Sequence, residues 1–319
     1  MKKNFGITGI AGYIAPRHLR AIHDVGGDLV AALDPHDAVG VLDQYFPNAR
    51  FFTEFERFDR HLEKLRRLGP GNKIDYLSIC SPNYLHDAHI RAALRVGADA
   101  ICEKPLVLNP WNLDALEQLE KETDQKVYTL LQLRSHPSIL EIKKKYQDTS
   151  KRHQITLTYV TSRGQWYLTS WKGQNDKSGG LATNIGIHFF DMLIWIFGGV
   201  QKGEIHYSSS TVMSGSLELK NADVTWFLSI DPQYLPKSAL DKNKKTFRSI
   251  TVDNHELEFS EGFTDLHTLV YKDILAGGGP RISHARPSIE LVHQLRNAKA
   301  VQSSHMHPFI SDQHLRGIR

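Results

Sequence analysis

Residues 5–19 read FGITGIAGYIAPRHL, an apolar run typical of a strand that breaks into glycines and then enters a helix. In a dinucleotide-binding turn of this kind, glycines let backbone N–H groups approach a pyrophosphate at the start of the helix. The glycines stand at Gly6, Gly9 and Gly12 instead of in the G-x-G-x-x-G spacing, which predicts a loop one residue longer. Taken alone, the stretch fits a plain strand-to-helix turn equally well.

The end of the next predicted strand favours the dinucleotide interpretation. The run DLVAALDPHD places Asp34 22 residues after Gly12. An acid at that point accepts hydrogen bonds from the ribose hydroxyls and repels a 2′-phosphate, so the sequence predicts NAD over NADP. The alternative for Asp34 is a helix N-cap before Pro35, and one carboxylate could serve both purposes.

The order of predicted elements indicates two domains. Strand-like runs alternate with amphipathic helical segments over the first 133 residues, which predicts a doubly wound parallel sheet. Beyond about residue 150, strand-like runs follow one another with few helices between them, and two predicted helices stand out, at about 183–197 and 287–300. The fold class is therefore α/β, with a Rossmann domain at 1–133 and, at 134–319, an α+β domain with an open, mainly antiparallel sheet. Chains of this type usually bind ligands between their domains.

The composition and net charge limit the classes of function that the protein could have. The chain has 319 residues, of which 40% are hydrophobic and 23% charged, as in ordinary soluble proteins. A net charge of +4 is too small to indicate nucleic-acid binding, but it suits an anionic small molecule. Glycines interrupt the N-terminal residues where a signal peptide needs an unbroken apolar region, and we expect no membrane-spanning segment, so the prediction is a cytoplasmic protein. Cys80 and Cys102 lie in apolar runs and are predicted to be free, buried thiols.

Polar side chains follow several predicted strands. Ser81, Asn83 and His86 follow one strand, Glu103 and Lys104 the next, and Gln132 and Arg134 the last. Ligands of an open parallel sheet bind at the carboxyl ends of its strands, so these groups are expected beside the cofactor. Lysine is a suitable proton relay because burial readily tunes it. The alternative for Glu103 and Lys104 is an exposed salt bridge in a loop.

A second polar group is predicted on a helix of the second domain. Asn184, His188 and Asp191 stand at positions i, i+4 and i+7, which share one face of a helix. The alternative is a structural histidine that is buried and bonded to Asp191. The sequence offers no convincing third metal ligand, so no metal is predicted.

Two motifs carry a resemblance to a known family. EKP at 103–105 and GGLATNIGIHFFD at 179–191 resemble the Gfo/Idh/MocA oxidoreductases, and the resemblance extends over essentially the whole chain. It implies a Rossmann domain followed by a domain with an open antiparallel sheet, through which dimers or tetramers assemble. It also implies that Lys104 lies beside the nicotinamide and the substrate hydroxyl, with His188 and Asp191 as the second motif's histidine and last acid. The motif's first acid is replaced by Asn184, which leaves proton transfer to Lys104 and His188.

Several further stretches resemble one subgroup of that family, the UDP-N-acetyl-2-amino-2-deoxyglucuronate 3-dehydrogenases of the WlbA/WbpB type. They are GYIAPRH, SICSPNYLH, YVTSRGQWYLTSWKG, ATNIGIHF and FSEGFTDLH. The subgroup implies oxidation of the sugar's 3-hydroxyl by NAD⁺ in the synthesis of lipopolysaccharide O-antigen sugars. Some relatives recycle the cofactor with 2-oxoglutarate, and whether this chain does so is left open here.

The sequence and the family resemblance together predict a set of site residues. The catalytic residues are Lys104 and His188. The cofactor-binding residues are Gly9, Ala11, Gly12, Tyr13, Ile14, Asp34, Ser81, Asn83, His86, Glu103, Lys104 and Gln132. The substrate-binding residues are Lys104, Arg163, Trp166, Tyr167, Trp171, Lys172, Asn184 and His188.

The substrate residues at 163–172 have a physical rationale of their own. Aromatic faces stack on a base or sugar ring, and the two cations can meet a diphosphate or carboxylate. An aromatic core strand with solvated charges is the alternative. His267 or Tyr271 is a further candidate for the same pocket, and the tail at 303–314 is assigned no chemistry.

Other functions left open are another sugar or cyclitol dehydrogenase, an NAD-dependent glycosidase, and a nucleotide sensor without catalysis.

Overall fold

The computed structural model describes residues 2–147, 149, 151–303 and 305–310. They form two compact units. One contains the chain up to Ser135 together with Thr264–Arg286, and the other contains His136–Phe263 together with the chain from Pro287 onward. This differs from the predicted division, because the segment 264–286 lies in the first unit although it follows the second unit's strands in the chain.

The first unit is built on a parallel sheet of six strands. Its strands are β1 (Asn4–Thr8), β2 (Asp28–Leu33), β3 (Arg50–Phe52), β4 (Tyr76–Ile79), β5 (Asp99–Cys102) and β6 (Val127–Thr129). Their order is β3-β2-β1-β4-β5-β6, and every neighbouring pair is parallel. This is the Rossmann order, so the predicted doubly wound sheet is confirmed.

Helices accompany this sheet. They are α1 (Ala15–Asp24), α2 (Leu42–Tyr45), α3 (Phe55–Arg67), α4 (His86–Arg95), α5 (Pro110–Thr123) and α11 (Leu266–Leu275), with 3₁₀ turns at Asn83–Leu85 and Gln132–Ser135. Helix α11 packs on α1, and two polar contacts fix it there. Arg20 pairs with Asp265 at 3.1 Å, and the Thr268 hydroxyl donates to Asp24 at 3.2 Å. The returning segment therefore belongs to the packing of the first unit.

The second unit contains a six-stranded mixed sheet. Its strands are β7 (His153–Thr161), β8 (Val200–Ser208), β9 (Val212–Leu219), β10 (Ala222–Ser229), β11 (Thr246–Val252) and β12 (His255–Glu258). Their order is β12-β11-β7-β10-β9-β8, with only the β7–β10 pair parallel. The predicted open, mainly antiparallel sheet is confirmed.

Both faces of this sheet are covered near its centre. Trp226 on β10 packs against Phe190 of helix α9 (Ile187–Phe197), and its neighbour Phe227 stacks on His307 at 5.2 Å on the other face. His307 is 1% exposed, so this part of the C-terminal tail is packed on the sheet. The remaining helices are α6 (Pro137–Tyr146), α7 (Trp166–Thr169), α8 (Asn175–Ser178), α10 (Lys237–Leu240) and α12 (Ile282–Asn297), with short turns at Trp171–Gly173, Ala182–Gly186 and Pro232–Tyr234.

Two predictions about helices need correction. Helix α12 begins at Ile282 and includes Pro287, which was predicted to start it; the proline only removes one backbone donor inside the helix. The segment Asn175–Phe197 is long and apolar enough to span a membrane, contrary to expectation. However, 78% of its most apolar window is buried inside the protein, as in the core helix of a soluble protein.

Candidate active site

The glycine turn between β1 and α1 is tightly packed. Gly9 has φ +78°, and a Cβ atom there would lie 2.5 Å from the backbone of Cys80 and Ser81. The Gly12 N–H donates to the Gly9 carbonyl at 3.0 Å, which closes the turn. No side chain of the described residues caps the start of α1, and Pro16 occupies its first turn. The turn therefore presents a helix N-terminus in the way that a pyrophosphate site requires.

Asp34 lies directly beside this turn. Its Oδ2 accepts the Ala11 N–H at 3.0 Å, and its Oδ1 accepts the His36 N–H at 2.9 Å. The proposed helix N-cap is wrong, because the next helix begins only at Leu42. Each carboxylate oxygen retains a lone pair, so Asp34 is able to accept ribose hydroxyls while it braces the turn.

Other predicted cofactor residues occupy the same edge with different exposure. Tyr13 is 83% exposed, and Ile14 is the residue before α1. Asn83 begins the 3₁₀ turn after β4 and Gln132 begins the one after β6. They stay predicted cofactor contacts.

Two residues after β4 are held by protein groups. The Ser81 hydroxyl lies 2.9 Å from His89 Nδ1, and burial lowers the pKa of His89 to about 4. His86 is fully buried, with its ring nitrogens 2.7 Å from the Pro105 carbonyl and 2.9 Å from the Ser81 carbonyl. Because both nitrogens are occupied, this geometry argues against the predicted contact of His86 with a cofactor and makes it a link between the loops after β4 and β5.

Glu103 and Lys104 follow β5 in very different environments. Lys104 is partly exposed and joined to Pro105 by a cis peptide bond, whereas Glu103 is 8% exposed. The alternative of an exposed salt bridge is therefore wrong for Glu103. Its Oε1 lies 3.0 Å from Nε2 of both His18 and His267, and its Oε2 accepts the Lys104 N–H at 3.2 Å.

Electrostatics keep the Glu103 carboxyl ionised. Burial opposes the charge, but the hydrogen bonds from His18 and His267 outweigh it and hold the pKa of Glu103 well below its usual range. Burial lowers the pKa of His18, in spite of the hydrogen bond to Glu103 that raises it. The result is a buried carboxylate held by two imidazoles.

Sequence reasoning missed His18 and gave His267 only as a vague candidate. No motif spacing links them, since one comes from α1 and the other from α11. Their ring atoms and the Glu103 carboxylate lie within 4.8 Å of one another, close enough for a metal ion. The Nε2 atoms of both histidines hydrogen-bond the Glu103 carboxylate, and we interpret the cluster as hydrogen-bonded.

In the second unit, the structure brings the predicted substrate residues together. Strand β7 ends at Thr161, so the stretch after it is a set of short helices and not an aromatic core strand. The Lys172 ammonium lies 4.3 Å from the Trp171 ring and 5.6 Å from the Trp166 ring. Trp166 is 53% exposed, which leaves an aromatic face available to a ligand.

The two cations of this cluster, Arg163 and Lys172, have no acidic partner among the residues that the structure describes. Burial and the nearby charge of Arg163 lower the pKa of Lys172. Within the described part of the chain, no carboxylate forms a salt bridge with either residue. Two neighbouring cations without counter-charges beside exposed indole form a site suited to an anionic, ring-containing ligand.

Asn184 connects this cluster with the second motif. Its amide donates to the Tyr167 hydroxyl at 2.5 Å. Asn184 lies in a π-helical turn, Ala182–Gly186, that precedes α9, so the predicted spacing on one regular helical face is wrong. Asn184 and Asp191 are buried, while His188 is partly exposed.

Comparisons with known proteins agree with this geometry. The NAD-binding Rossmann domain of an oxidoreductase family matches residues 3–130, and the C-terminal alpha/beta domain of the same family matches residues 153–234. The chain belongs to the Gfo/Idh/MocA oxidoreductase family. It is thus an oxidoreductase whose residues 3–130 form the family's NAD-binding domain, and the predicted cofactor is confirmed.

Two solved structures extend the likeness to 96% of the chain. The WlbA (WbpB) dehydrogenase of Thermus thermophilus in complex with NAD and alpha-ketoglutarate is 53% identical, with a TM-score of 0.94, and the match covers 96% of this chain and 99% of that one. The same dehydrogenase in complex with NAD and UDP-GlcNAcA gives 52% identity and a TM-score of 0.93, with the same coverage of 96% and 99%. The resemblance to WlbA-type proteins is therefore confirmed.

A curated relative is more distant. Inositol 2-dehydrogenase of Rhizobium meliloti is 25% identical over 201 residues, which are 62% of this chain and 56% of that protein. The matched stretches cover between 15% and 56% of the first three curated relatives. The chain therefore spans little more than half the length of any of these three.

Proposed function

We propose that this protein oxidises the 3-hydroxyl of a UDP-linked N-acetylamino-glucuronic acid to the 3-keto sugar, with NAD⁺ as the oxidant. The observation that supports this substrate is the cluster of Arg163 and Lys172 beside exposed Trp166, since neither cation has an acidic partner among the described residues. A UDP-sugar acid supplies the matching groups, since it has a diphosphate, a carboxylate and a flat base. The Thermus relative, at 52% identity, was crystallised with NAD and UDP-GlcNAcA.

The residues of the first unit fit the cofactor. The uncapped start of α1 suits the pyrophosphate, and Asp34 suits the adenosine ribose. When bound, NAD⁺ accepts a hydride from the carbon that carries the reacting hydroxyl. We infer that Lys104 and His188 contact that hydroxyl and that one of them takes its proton.

Supporting groups complete the proposed mechanism. Glu103 fixes the backbone of Lys104 through the amide hydrogen bond, and we assign Asp191 to orientation of His188. Asn184 holds the Tyr167 hydroxyl and thereby shapes the sugar site. Because Asn184 has no carboxylate, it cannot replace Lys104 or His188 as a base.

The cellular setting is also part of the proposal. We place the reaction in the cytoplasm, in the synthesis of lipopolysaccharide O-antigen sugars, and expect a homotetramer or homodimer. The relative crystallised with NAD and alpha-ketoglutarate supports 2-oxoglutarate as an acceptor that regenerates NAD⁺. The same two cations suit this dicarboxylate.

The function is tested by incubating the protein with NAD⁺ and UDP-GlcNAcA and by analysing the nucleotide sugar by mass spectrometry. The proposal expects a product that has lost two hydrogens, with NADH appearing at 340 nm or, if 2-oxoglutarate is added, with 2-hydroxyglutarate accumulating. Release of the sugar without net NADH would indicate a glycosidase. Binding of the nucleotide sugar without any chemical change would indicate a sensor, and either outcome would refute the proposal.

We expect the substitution Asp34→Asn to raise the Kd for NAD⁺ by roughly tenfold, because a charged acceptor of the ribose hydroxyls is lost. It should also weaken the discrimination against NADP⁺, since the charge that repels a 2′-phosphate is removed. Isothermal titration with both cofactors measures this. Asp37→Asn, an exposed acid of the same loop, is the matched control and should leave both affinities unchanged.

We expect Arg163→Gln and Lys172→Gln each to raise the KM for UDP-GlcNAcA by roughly tenfold, because each removes a charge that meets the substrate's anionic groups. The Kd for NAD⁺ should not change. The effect should shrink as salt is raised, since screening weakens the wild-type attraction. Lys237→Gln, an exposed lysine of the same unit, serves as the control, and an equal rise in its KM would contradict the assignment.

A further inference from the structure

The buried cluster around Glu103 extends further than a single carboxylate with two histidines. His18 Nδ1 lies 2.7 Å from the Tyr271 hydroxyl, which lies 2.6 Å from the Ser78 hydroxyl. The whole chain of contacts, from Ser78 through Tyr271, His18 and Glu103 to His267, lies in the first unit and is buried.

The hydrogen bonds fix where the protons lie. An ionised carboxylate only accepts, so the Nε2 atoms of His18 and His267 both carry protons and donate to Glu103. A neutral His18 then accepts at Nδ1, so the Tyr271 hydroxyl donates to it, and Ser78 donates to Tyr271. The hydrogen bonds thus assign every proton between Ser78 and Glu103, with the His18 imidazole neutral because burial lowers its pKa.

The carboxylate has few other charges around it. The titratable groups that interact with it from the surrounding elements are His18 from α1, Cys80 after β4, Cys102 from β5, His86 from α4, and His267 and Tyr271 from α11, with Lys104 next in the chain. The two thiols and the phenol have pKa values well above their usual range because of burial, so they are neutral. The histidine donors are therefore the main groups that stabilise the charge.

His267 reaches this cluster from a distant part of the chain. It lies on α11, which returns to the first unit after the strands of the second unit and is fixed to α1 by Arg20–Asp265 and Thr268–Asp24. It is 2% exposed, and its Nδ1 has no hydrogen-bond partner among the described residues. Among the described residues, the hydrogen bond to Glu103 is therefore the only one that its ring makes.

We propose that His267 is a positioning residue for the reaction: with His18 it keeps the Glu103 carboxylate charged and held on the Lys104 backbone amide, and so fixes the position from which the Lys104 side chain acts. This inference rests on the proposed function, because Lys104 is the residue whose position matters. Loss of His267 leaves a buried carboxylate with one donor fewer, which favours its protonated form. A protonated, loosened Glu103 no longer holds the Lys104 amide in one place.

The test compares His267→Leu with His267→Gln. Glutamine supplies an N–H donor at nearly the reach of Nε2, whereas leucine supplies none. With UDP-GlcNAcA and NAD⁺, the leucine variant should lose roughly tenfold in kcat at pH 6 with little change in KM, and should recover towards wild type at pH 9. The loss of kcat is larger at low pH because the pKa of Glu103 rises in this variant, so the carboxylate becomes protonated as the pH falls. The glutamine variant should stay within about threefold of wild type.

A second measurement does not depend on turnover. In protein labelled with [5-¹³C]glutamate, the Glu103 carboxyl signal, assigned by its absence in Glu103→Gln, should stay constant from pH 9 to pH 5 in the wild type and in His267→Gln. It should titrate within that range in His267→Leu. If the wild type turns over no UDP-sugar, the proposed function fails while this signal still reports on the cluster. A signal and a pH profile unchanged in His267→Leu would overturn the inference.

Controls separate positioning from stability. His206→Leu removes a buried histidine of the second unit, whose Nε2 bonds Ser216, and should lower the melting temperature without changing the pH profile. If His267→Leu does not fold, His267→Asn replaces it in the comparison with His267→Gln. The asparagine side chain is too short for its amide to reach Glu103, so this variant also lacks the donor. One equivalent of tightly bound zinc in the wild type, lost in the His267 variants, would replace the hydrogen-bonded cluster by a metal site and overturn the inference.

Discussion

Replacing Lys104 by methionine is expected to lower the turnover of UDP-GlcNAcA by about 10³-fold or more, while the Kd for NAD⁺ stays within about twofold of wild type. Methionine retains most of the length and apolar volume of the lysine stem but can neither hold nor pass a proton. The backbone amide of residue 104 remains, so the hydrogen bond to Glu103 is kept. Stopped-flow turnover and titration with NAD⁺ measure the two effects separately.

Two further variants sharpen this prediction. Lys104→Arg keeps the positive charge but does not give up a proton near neutral pH, so it should be nearly as inactive as methionine. Lys73→Met removes another partly exposed lysine of the same unit, whose ammonium donates to the Gly97 carbonyl, and should keep normal turnover. Turnover retained in Lys104→Met would remove Lys104 from the chemistry.

The second large effect is expected at Gly9. A Cβ atom at this position would lie 2.5 Å from Cys80 and Ser81 backbone atoms, which cannot move aside as a flexible side chain can, and the residue has φ +78°. We expect Gly9→Ala to reduce the free energy of unfolding by about 3 kcal/mol or more, through overpacking and backbone strain together. The NAD⁺ site should be lost as well, because the turn cannot keep its distance from β4.

Chemical denaturation and NAD⁺ titration check this prediction. Gly40→Ala is the matched control, since a Cβ there meets nothing within 4 Å and φ is not positive. It should be neutral or slightly stabilising, because alanine reduces the freedom of the unfolded chain. Equal stability and equal NAD⁺ affinity of Gly9→Ala and the wild type would show that the turn is not as tightly packed as described.

The sheet of the first unit could be predicted because its strands are apolar on both faces and alternate with amphipathic helices. The three-residue β3 went unseen, since Arg50–Phe52 is too short to leave a periodic signal. Asp34 was placed beside the glycine turn, but its role in bracing Ala11 needed coordinates. Local patterns therefore fixed the sheet and the cofactor edge but not every contact there.

The remaining differences come from contacts between residues that are distant in sequence. No spacing in the sequence reveals that His18 and His267 both contact one oxygen of Glu103. Nor does it reveal that the ring nitrogens of His86 face the backbone carbonyls of Ser81 and Pro105. The π-helical turn before α9 also escapes a helical periodicity of 3.6 residues. The sequence thus predicted which side chains lie at the carboxyl edge of the sheet, but it did not predict which of them hold other protein groups in place.

The central claim is that Lys104 and His188 act on one hydroxyl of a nucleotide sugar beside the nicotinamide of NAD. The most direct measurement is a crystal structure of the protein with NADH and UDP-GlcNAcA. The account predicts the sugar's 3-hydroxyl within hydrogen-bond distance of Lys104 Nζ and His188, with carbon 3 about 3–3.5 Å from the nicotinamide carbon that carries the hydride. A structure in which either side chain lies far from that hydroxyl, or in which protein side chains fill the place of the nicotinamide, would contradict it.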